Sequence, residues 1–204
     1  MGLVLTGALL AGAVPARAVV QARSPGDAPP RVTAQVQGIP TLPPGTVGLL
    51  PLGDAPRRPG TGLAVGEALC TALASRGSPC KPLPPPLDAT GKPIPGGMVS
   101  DAQLLDSARE AGVAVALTGR VTLFDVEASW LPGLTVWRKG LALDIPPGAE
   151  IRTDLTFQLR TVAIETGRLL CSAQVLHGPV ERLPQEALAE AAAAVLEGCF
   201  GPTP

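Results

Sequence analysis

The sequence predicts an α/β fold with elements in the order β-α-β-α-β-β-β-α, a sandwich in which helices flank a mixed sheet that ends in an antiparallel meander. Two observations predict this class. Apolar runs of strand length alternate with stretches of helical periodicity over the first half of the domain. Two β-rich segments joined by a Glu-Thr-Gly-Arg turn then precede a final amphipathic helix. We assign residues 46–200 to this single domain.

The first three elements follow from short patterns. Residues 47–52 are continuously apolar, which is typical of a strand buried on both faces. Apolar side chains at helical spacing predict a helix over residues 63–75, and Gly77 ends it. A short second strand is expected at 80–83, followed by a Pro- and Gly-rich loop at 84–97 that we expect to be mobile.

The two remaining helices carry different start signals. Ser100 and Gln103 have the spacing of a capping box, in which each side chain satisfies an amide at the start of a helix, and they predict a helix over 100–111. Pro184 suits a first helical position, and an apolar stripe follows it as far as a stop near Gly198.

The three later strands are long. Residues 113–126 are rich in apolar and β-branched side chains, with Gly119 as a candidate bulge. Residues 151–164 alternate between apolar and polar, as expected of a half-exposed strand. The turn at 165–168 then predicts a hairpin with its partner strand at 169–176.

The N-terminal region indicates export. Residues 1–18 are interpreted as a signal peptide cleaved after Ala18, because the apolar run at 3–14 is shorter than the roughly 20 residues that span a bilayer and a small-x-small pattern follows it. A permanent membrane anchor is the alternative, and no cysteine near Ala18 supports a lipid anchor. Residues 19–45 are predicted to be a Pro- and Gly-rich disordered tail or linker. We expect the protein in the periplasm, with the outer membrane as a candidate location.

Four cysteines fit this compartment. In an exported chain, Cys70, Cys80, Cys171 and Cys199 are expected to form two disulfides, for which three pairings exist. The most local pairing, Cys70 with Cys80 and Cys171 with Cys199, is weakly favoured. No CxxC motif occurs, which disfavours a thioredoxin-type redox site and a zinc ribbon.

Composition narrows the function. A net charge of −1 lacks the excess of basic residues that nucleic-acid binding needs, so no nucleic-acid partner is expected. One histidine, no tyrosine and no GxSxG motif favour a protein that is not an enzyme and that has no cofactor or metal. His177 is interpreted as a loop residue without a role.

Two weaker patterns have ordinary interpretations. Gly60, Gly62 and Gly66 precede or open a helix as in a phosphate-binding turn, but they do not match GxGxxG, so we interpret them as a helix-start loop. Four acidic residues flank one segment and are interpreted as a solvated rim, with a cation site as the alternative. They are Asp125, Glu127, Asp144 and Glu150.

The segment at 127–150, which we call the tryptophan excursion, holds both tryptophans of a chain that is 2% aromatic. Tryptophan and arginine are enriched in binding hot spots, so the excursion is a candidate docking surface for a partner protein or the inner membrane leaflet. The alternative is an extended hairpin whose tryptophans cover the domain's own core. The candidate interface residues are Trp130, Leu131, Leu134, Trp137, Arg138, Leu141 and Leu143.

Several segments resemble a superfamily of bacterial envelope proteins. Residues 47–52, 63–75, 104–121 and 165–170 are similar to the corresponding parts of the curli secretion channel (CsgG-like) family, the N-terminal domain of TolB and the outer-membrane lipoprotein activators of penicillin-binding proteins. The most specific part of this resemblance is the helix that leads into the sequence Leu-Thr-Gly-Arg-Val. The chain lacks the lipidated cysteine of many relatives, and its tight turn at 165–168 lacks the membrane hairpin of the channel-forming ones.

The resemblance implies an exported, non-enzymatic cell-envelope accessory that acts through protein contacts in assembly, transport or wall synthesis. We expect an envelope protein partner, with homo-oligomerisation and peripheral membrane contact as further options. The alternative is a periplasmic module that holds a small ligand in the region bordered by the loop at 84–97.

Overall fold

A computed structural model describes residues 28–37, 42, 45–131, 134–136 and 150–202. The predicted α/β class and the predicted order of elements are confirmed, with two additional strands. The elements are β1 (Arg31–Val36), β2 (Val47–Leu49), α1 (Thr61–Ser75), β3 (Cys80–Pro82), a 3-10 turn (Gly96–Met98), α2 (Asp101–Ala111), β4 (Val115–Leu131), β5 (Leu134–Val136), β6 (Glu150–Ala163), β7 (Leu169–Val180) and α3 (Pro184–Phe200).

The seven strands of the described residues belong to one mixed sheet. Its order is β1-β7-β6-β4-β2-β3, and β5 pairs with the far end of β4. Strand β2 lies between β3 and β4 and runs parallel to both, whereas β4, β6, β7 and β1 pair antiparallel. The sheet therefore has a short parallel half, built by helical crossovers, and a long antiparallel half, built by hairpins.

Helices cover the two faces of the sheet unequally. Along β4, Leu117 packs in a large core with side chains of α1 and α3, whereas its neighbour Ala116 packs in a smaller core with Leu104 of α2. Successive strand residues point to opposite faces, so α1 and α3 lie on one face and α2 on the other. The capping box of α2 is present as predicted, with the Ser100 hydroxyl accepting from the Gln103 amide at 3.3 Å.

The prediction of a disordered tail over 19–45 is wrong at Arg31–Val36. These residues form the edge strand β1, which pairs with β7 over six residue pairs from Arg31–Leu176 to Val36–Cys171. The side chains of Val32 and Ala34 pack on the large core, so the ordered domain begins before residue 46. Apolar–polar alternation was present in Arg-Val-Thr-Ala-Gln-Val, but its pairing partner lies far away in the chain. Residues 1–27, including the predicted signal peptide, lie outside the described residues.

The long central hairpin also differs from the prediction. Strand β4 reaches Leu131 and β6 begins at Glu150, so both strands extend into the tryptophan excursion. Gly119 is not the bulge, because the register shifts between Val121 and Leu123. Glycine is needed at 119 for another reason: a Cβ there would collide with the Gln158 carbonyl oxygen.

Two disulfides join helices to strands. Cys70 of α1 bonds Cys80 of β3, and Cys171 of β7 bonds Cys199 of α3, which is the local pairing that the sequence weakly favoured. Structural disulfides persist in oxidising compartments, so the pair indicates an oxidising, exported environment. Within the described ranges, no helix is both long and apolar enough to cross a membrane.

Candidate functional site

A pocket of about 700 Å³ lies beyond the carboxyl end of β2, beside β4. One wall follows directly from β2, at Pro51–Gly53, and a second is formed by Arg120–Thr122 of β4. The segment leading into α2, at 93–98, closes the third side. The complete lining is Pro51, Leu52, Gly53, Asp54, Pro56, Pro85, Pro93, Ile94, Pro95, Gly96, Gly97, Met98, Arg120, Val121 and Thr122.

Topology explains why the crevice is there. The chain leaves β2 through α1 to reach β3 on one side, then returns through α2 to reach β4 on the other side. Because α1 and α2 lie on opposite faces of the sheet, the connections diverge beyond the carboxyl end of β2. Open α/β sheets bind ligands at such switch points.

Backbone hydrogen bonds hold the pocket walls together. The Gly53 amide donates to the Gly119 carbonyl at 3.0 Å, and the Val121 amide donates to the Gly53 carbonyl at 2.8 Å. On the α2 side, the buried Thr118 hydroxyl donates to the Gly96 carbonyl at 2.8 Å. The other two walls are therefore both anchored to β4.

Arg120 supplies the basic group of the pocket. Its side chain is exposed, and its Nε donates to Gln158 Oε1 at 3.2 Å. Its two Nη groups have no hydrogen-bond partner among the described residues. Arg120 stands in the Leu-Thr-Gly-Arg-Val segment, but no motif in the sequence marks it as a binding residue. The signal that could have found it was a cation placed directly after the buried, mostly apolar run at 115–119, inside a long strand.

The acidic side chain of the same pocket, Asp54, already accepts two backbone hydrogen bonds. The Asp54 carboxylate accepts from the Gly62 amide at 2.7 Å and from the Gly60 amide at 3.1 Å, at the start of α1. Asp54 thus occupies the position where a helix N-terminus would bind an anion. The interpretation of this glycine-rich stretch as a helix-start loop is confirmed, with Gly60 in the left-handed region at φ 87°.

The loop expected at 84–97 borders the pocket and has its own internal structure. Asp88 Oδ1 accepts from the Thr90 hydroxyl at 2.6 Å, the Thr90 amide at 2.8 Å and the Lys92 amide at 3.0 Å. These hydrogen bonds, that from the Thr90 side chain first, lower the pKa of the Asp88 carboxyl. They fold the outer part of the loop into a turn above the pocket wall.

His177 lies in strand β7 and is only 1% exposed, so its assignment to a loop is wrong. Strand pairing continues past the Gly-Pro pair that suggested its end. The His177 Nε2 lies 3.1 Å from a Glu190 carboxylate oxygen of α3, yet neither ring nitrogen has a well-aligned hydrogen-bond partner among the described residues. Burial lowers the pKa of His177, and the Glu190 carboxylate partly opposes this shift.

Asp125 and Asp154 lie opposite each other on β4 and β6. Asp125 accepts a hydrogen bond from Arg58 Nη2 at 2.8 Å, so it is paired with a cation and is not simply a solvated rim residue. Burial, and then the neighbouring Asp125, raise the pKa of Asp154. Glu127 is exposed, and in the described part of the chain no three or more potential metal-binding side chains cluster. Asp144 lies outside the described residues.

The tryptophan excursion is only partly described. The backbone of Trp130 and Leu131 belongs to β4, and that of Leu134 belongs to β5, with Leu131 opposite Leu134. The other candidate interface residues, Trp137, Arg138, Leu141 and Leu143, lie outside the described residues. Docking surface and core-covering hairpin both remain predictions.

Comparison with known proteins places the chain in a class defined by fold. No protein family model and no curated protein matches it. Among solved structures, it is similar to the PelC dodecamer from Paraburkholderia phytofirmans, with 15% identity and a TM-score of 0.52 over 84% of this chain and 97% of that one.

Two further solved structures are similar. A substituted form of the same PelC dodecamer gives 15% identity and a TM-score of 0.52, over 83% of this chain and 99% of that one. A hypothetical protein from Chlamydia trachomatis gives 11% identity and a TM-score of 0.41, over 76% and 98% of the two chains. At such identities the PelC likeness is a likeness of fold.

Proposed function

We propose that this chain is an exported, non-enzymatic accessory of the cell envelope that works as a self-assembling component in assembly, transport or wall synthesis. The observation that carries the proposal is the fold shared with PelC, a dodecamer, over 97% of that chain. The two disulfides support export, and the sequence resemblance to CsgG-like, TolB and lipoprotein-activator families supports an envelope role. The periplasm, at the outer membrane, is the proposed location.

Native mass spectrometry of the oxidised protein tests self-assembly. A cyclic homo-oligomer should give one dominant mass that is a whole multiple of the 20.6 kDa chain, reduced by any cleaved leader. A monomer throughout the micromolar range would contradict the proposal. Light scattering after gel filtration provides an independent measure of the mass.

The tryptophan excursion is the proposed contact surface for the partner or the assembly. Substituting Trp130 and Trp137 with Ala should abolish assembly and leave the melting temperature unchanged. The reverse result, lower stability with assembly retained, would favour the core-covering hairpin. Phe124→Ala is a useful reference, because Phe124 is a core residue of β4 and its loss should lower stability without acting on a docking surface.

A second candidate function is the binding of a small ligand, and the 700 Å³ pocket at the switch point favours it. This volume falls within the range of roughly 300–1,000 Å³ that is usual for ligand pockets. Spectral perturbation of the pocket amides by a small molecule would support this function. Both functions are compatible in one protein, because the pocket lies on the parallel half of the sheet and the excursion at the far end of β4.

A further inference from the structure

We infer that the pocket beyond the carboxyl end of β2 binds a small amphipathic anion. The apolar body of this anion lies against the wall that contains Pro51, Ile94 and Pro95, and its anionic head pairs with Arg120. The inference rests on the second candidate function, small-ligand binding, and names the class of ligand. It is supported by the shape of the pocket and by the different hydrogen bonding of its two charged side chains, Asp54 and Arg120.

The wall of the pocket is apolar without being aromatic. Pro51, Ile94 and Pro95 line it, and Met98 is 78% exposed at its rim. Exposed methionine is costly in water and adaptable in contact with apolar ligands. Proline rings are rigid, so they lose little conformational entropy when a ligand covers them. The wall suits an aliphatic or flat apolar body.

The charge of the pocket favours an anion. Arg120 is the one basic side chain in the lining, and Asp54 the one acidic side chain. Asp54 is satisfied by two amides of α1, whereas Arg120 uses only Nε, toward the neutral Gln158. A guanidinium whose Nη groups have no partner among the described residues can bind a carboxylate through two parallel hydrogen bonds.

Asp54 also excludes a competing kind of site. A phosphate would otherwise be attracted to the amides at the start of α1, but the Asp54 carboxylate already accepts from two of them. The anionic head must therefore be held by Arg120 on the β4 side. This places the head against the sheet and leaves the apolar body toward the wall at 93–98.

The test compares octanoate with 1-octanol, which share a chain length and differ in charge. Both are titrated below their aggregation limits into the oxidised, ¹⁵N-labelled full chain, and amide shifts are followed by NMR. We expect saturable shifts at Gly53, Gly97 and Val121, with octanoate binding about tenfold more tightly than octanol.

Variants assign the preference to one side chain. Arg120→Gln should abolish the tenfold preference for octanoate while octanol binding persists, and Arg120→Lys should keep part of it. Arg168→Gln is the matched control, because Arg168 stands in the turn between β6 and β7 and does not line the pocket. It should bind both probes like the unmodified protein.

The outcomes distinguish a failure of the anion assignment from a failure of small-ligand binding itself. If octanol and octanoate bind the pocket equally, or if Arg120→Gln keeps the preference, the anion assignment is overturned and the ligand pocket stands. If neither probe shifts the pocket amides, ligand binding and the anion assignment both fall. Shifts confined to other parts of the sheet would likewise overturn the inference.

Discussion

The parallel and antiparallel halves of the sheet are built on different principles. In the parallel half, β2 and β3 have three residues each, and helices on both faces enclose them. In the antiparallel half, β6 and β7 have 14 and 12 residues. Helix α3 covers one face of them, and α2 reaches the other face only near Val162 and Leu169. The first half has a pocket beside its diverging crossovers, while the long strands of the second half pack against α3 in the large core. The difference separates the region suited to binding from the region that supplies stability.

The two faces of the antiparallel half differ in burial and polarity. Ala173 and Val175 point to the helices and are buried, whereas their neighbour Gln174 points to the other face and is exposed. On β1, Val32 packs inward and Thr33 is exposed. Away from α2 this second face is mainly polar, with Leu176 as an exposed apolar exception, so this part of the sheet can be stable without a second layer.

The largest expected effect tests whether the antiparallel half carries the stability. Phe157 of β6 is fully buried, so Phe157→Ala should lower the free energy of unfolding by about 3–5 kcal/mol, through lost burial and the cavity left behind. Chemical denaturation followed by circular dichroism measures it. A loss below about 1 kcal/mol would mean that this half is less tightly packed than the comparison requires.

The two disulfides provide the next contrast, since one belongs to each half. Their closed segments span 10 residues for Cys70–Cys80 and 28 for Cys171–Cys199. Replacing either pair with alanine should cost about 2–5 kcal/mol, and the Cys171–Cys199 pair about 1 kcal/mol more, because its loop is longer. Equilibrium unfolding of the two double variants decides the order. Equal losses would show that loop length does not set the difference.

A smaller loss of stability is expected from a substitution that affects only the parallel half. Ser100→Ala removes the capping box of α2, which covers that half, and should cost about 1 kcal/mol. Ser107→Ala within the same helix is the control, and it should cost nothing, since alanine is the better helix former. A loss at Ser107 equal to that at Ser100 would argue against the cap. The NMR shifts of the pocket amides should report the change in α2.

The smallest expected effect is a pH dependence confined to the antiparallel half. Because burial lowers the pKa of His177, the unfolded chain binds the proton more readily, so stability should fall as pH decreases below about 6.5. His177→Gln should flatten this slope, whatever its effect on total stability. Melting temperatures measured from pH 8 to pH 5 provide the test, and an unchanged slope in the variant would contradict the assignment.

Asp154 contributes with the opposite sign at lower pH. Its pKa is raised in the fold, so the folded state keeps its proton longer and stability should decrease as pH rises above about 3.8. Asp154→Asn should remove that decrease. Because the Asp154 carboxylate also raises the pKa of His177, this variant should keep the His177 slope and make it slightly steeper. The two groups titrate in different pH ranges, so the two parts of the pH profile report on them separately.

Much of the fold could be predicted because it depends on neighbours in the chain. The capping pair Ser100 and Gln103 lies within one helical turn, and the turn at 165–168 joins strands that are adjacent in sequence and in space. Strand β1 was missed because its pairing partner β7 is more than a hundred residues away and no turn signal links the two. The same reason hid His177, whose environment is made by α3.

The sequence by itself determined the fold class, the helix boundaries to within two residues and the preference for local disulfides, all of which follow from interactions between residues close together in the chain. Only the tertiary structure decided that Asp54 caps α1, that Arg120 faces a pocket and that β1 completes the sheet. Each of these depends on which strands become neighbours, and strand order is set by burial across the whole chain. The candidate binding site belongs entirely to this second group.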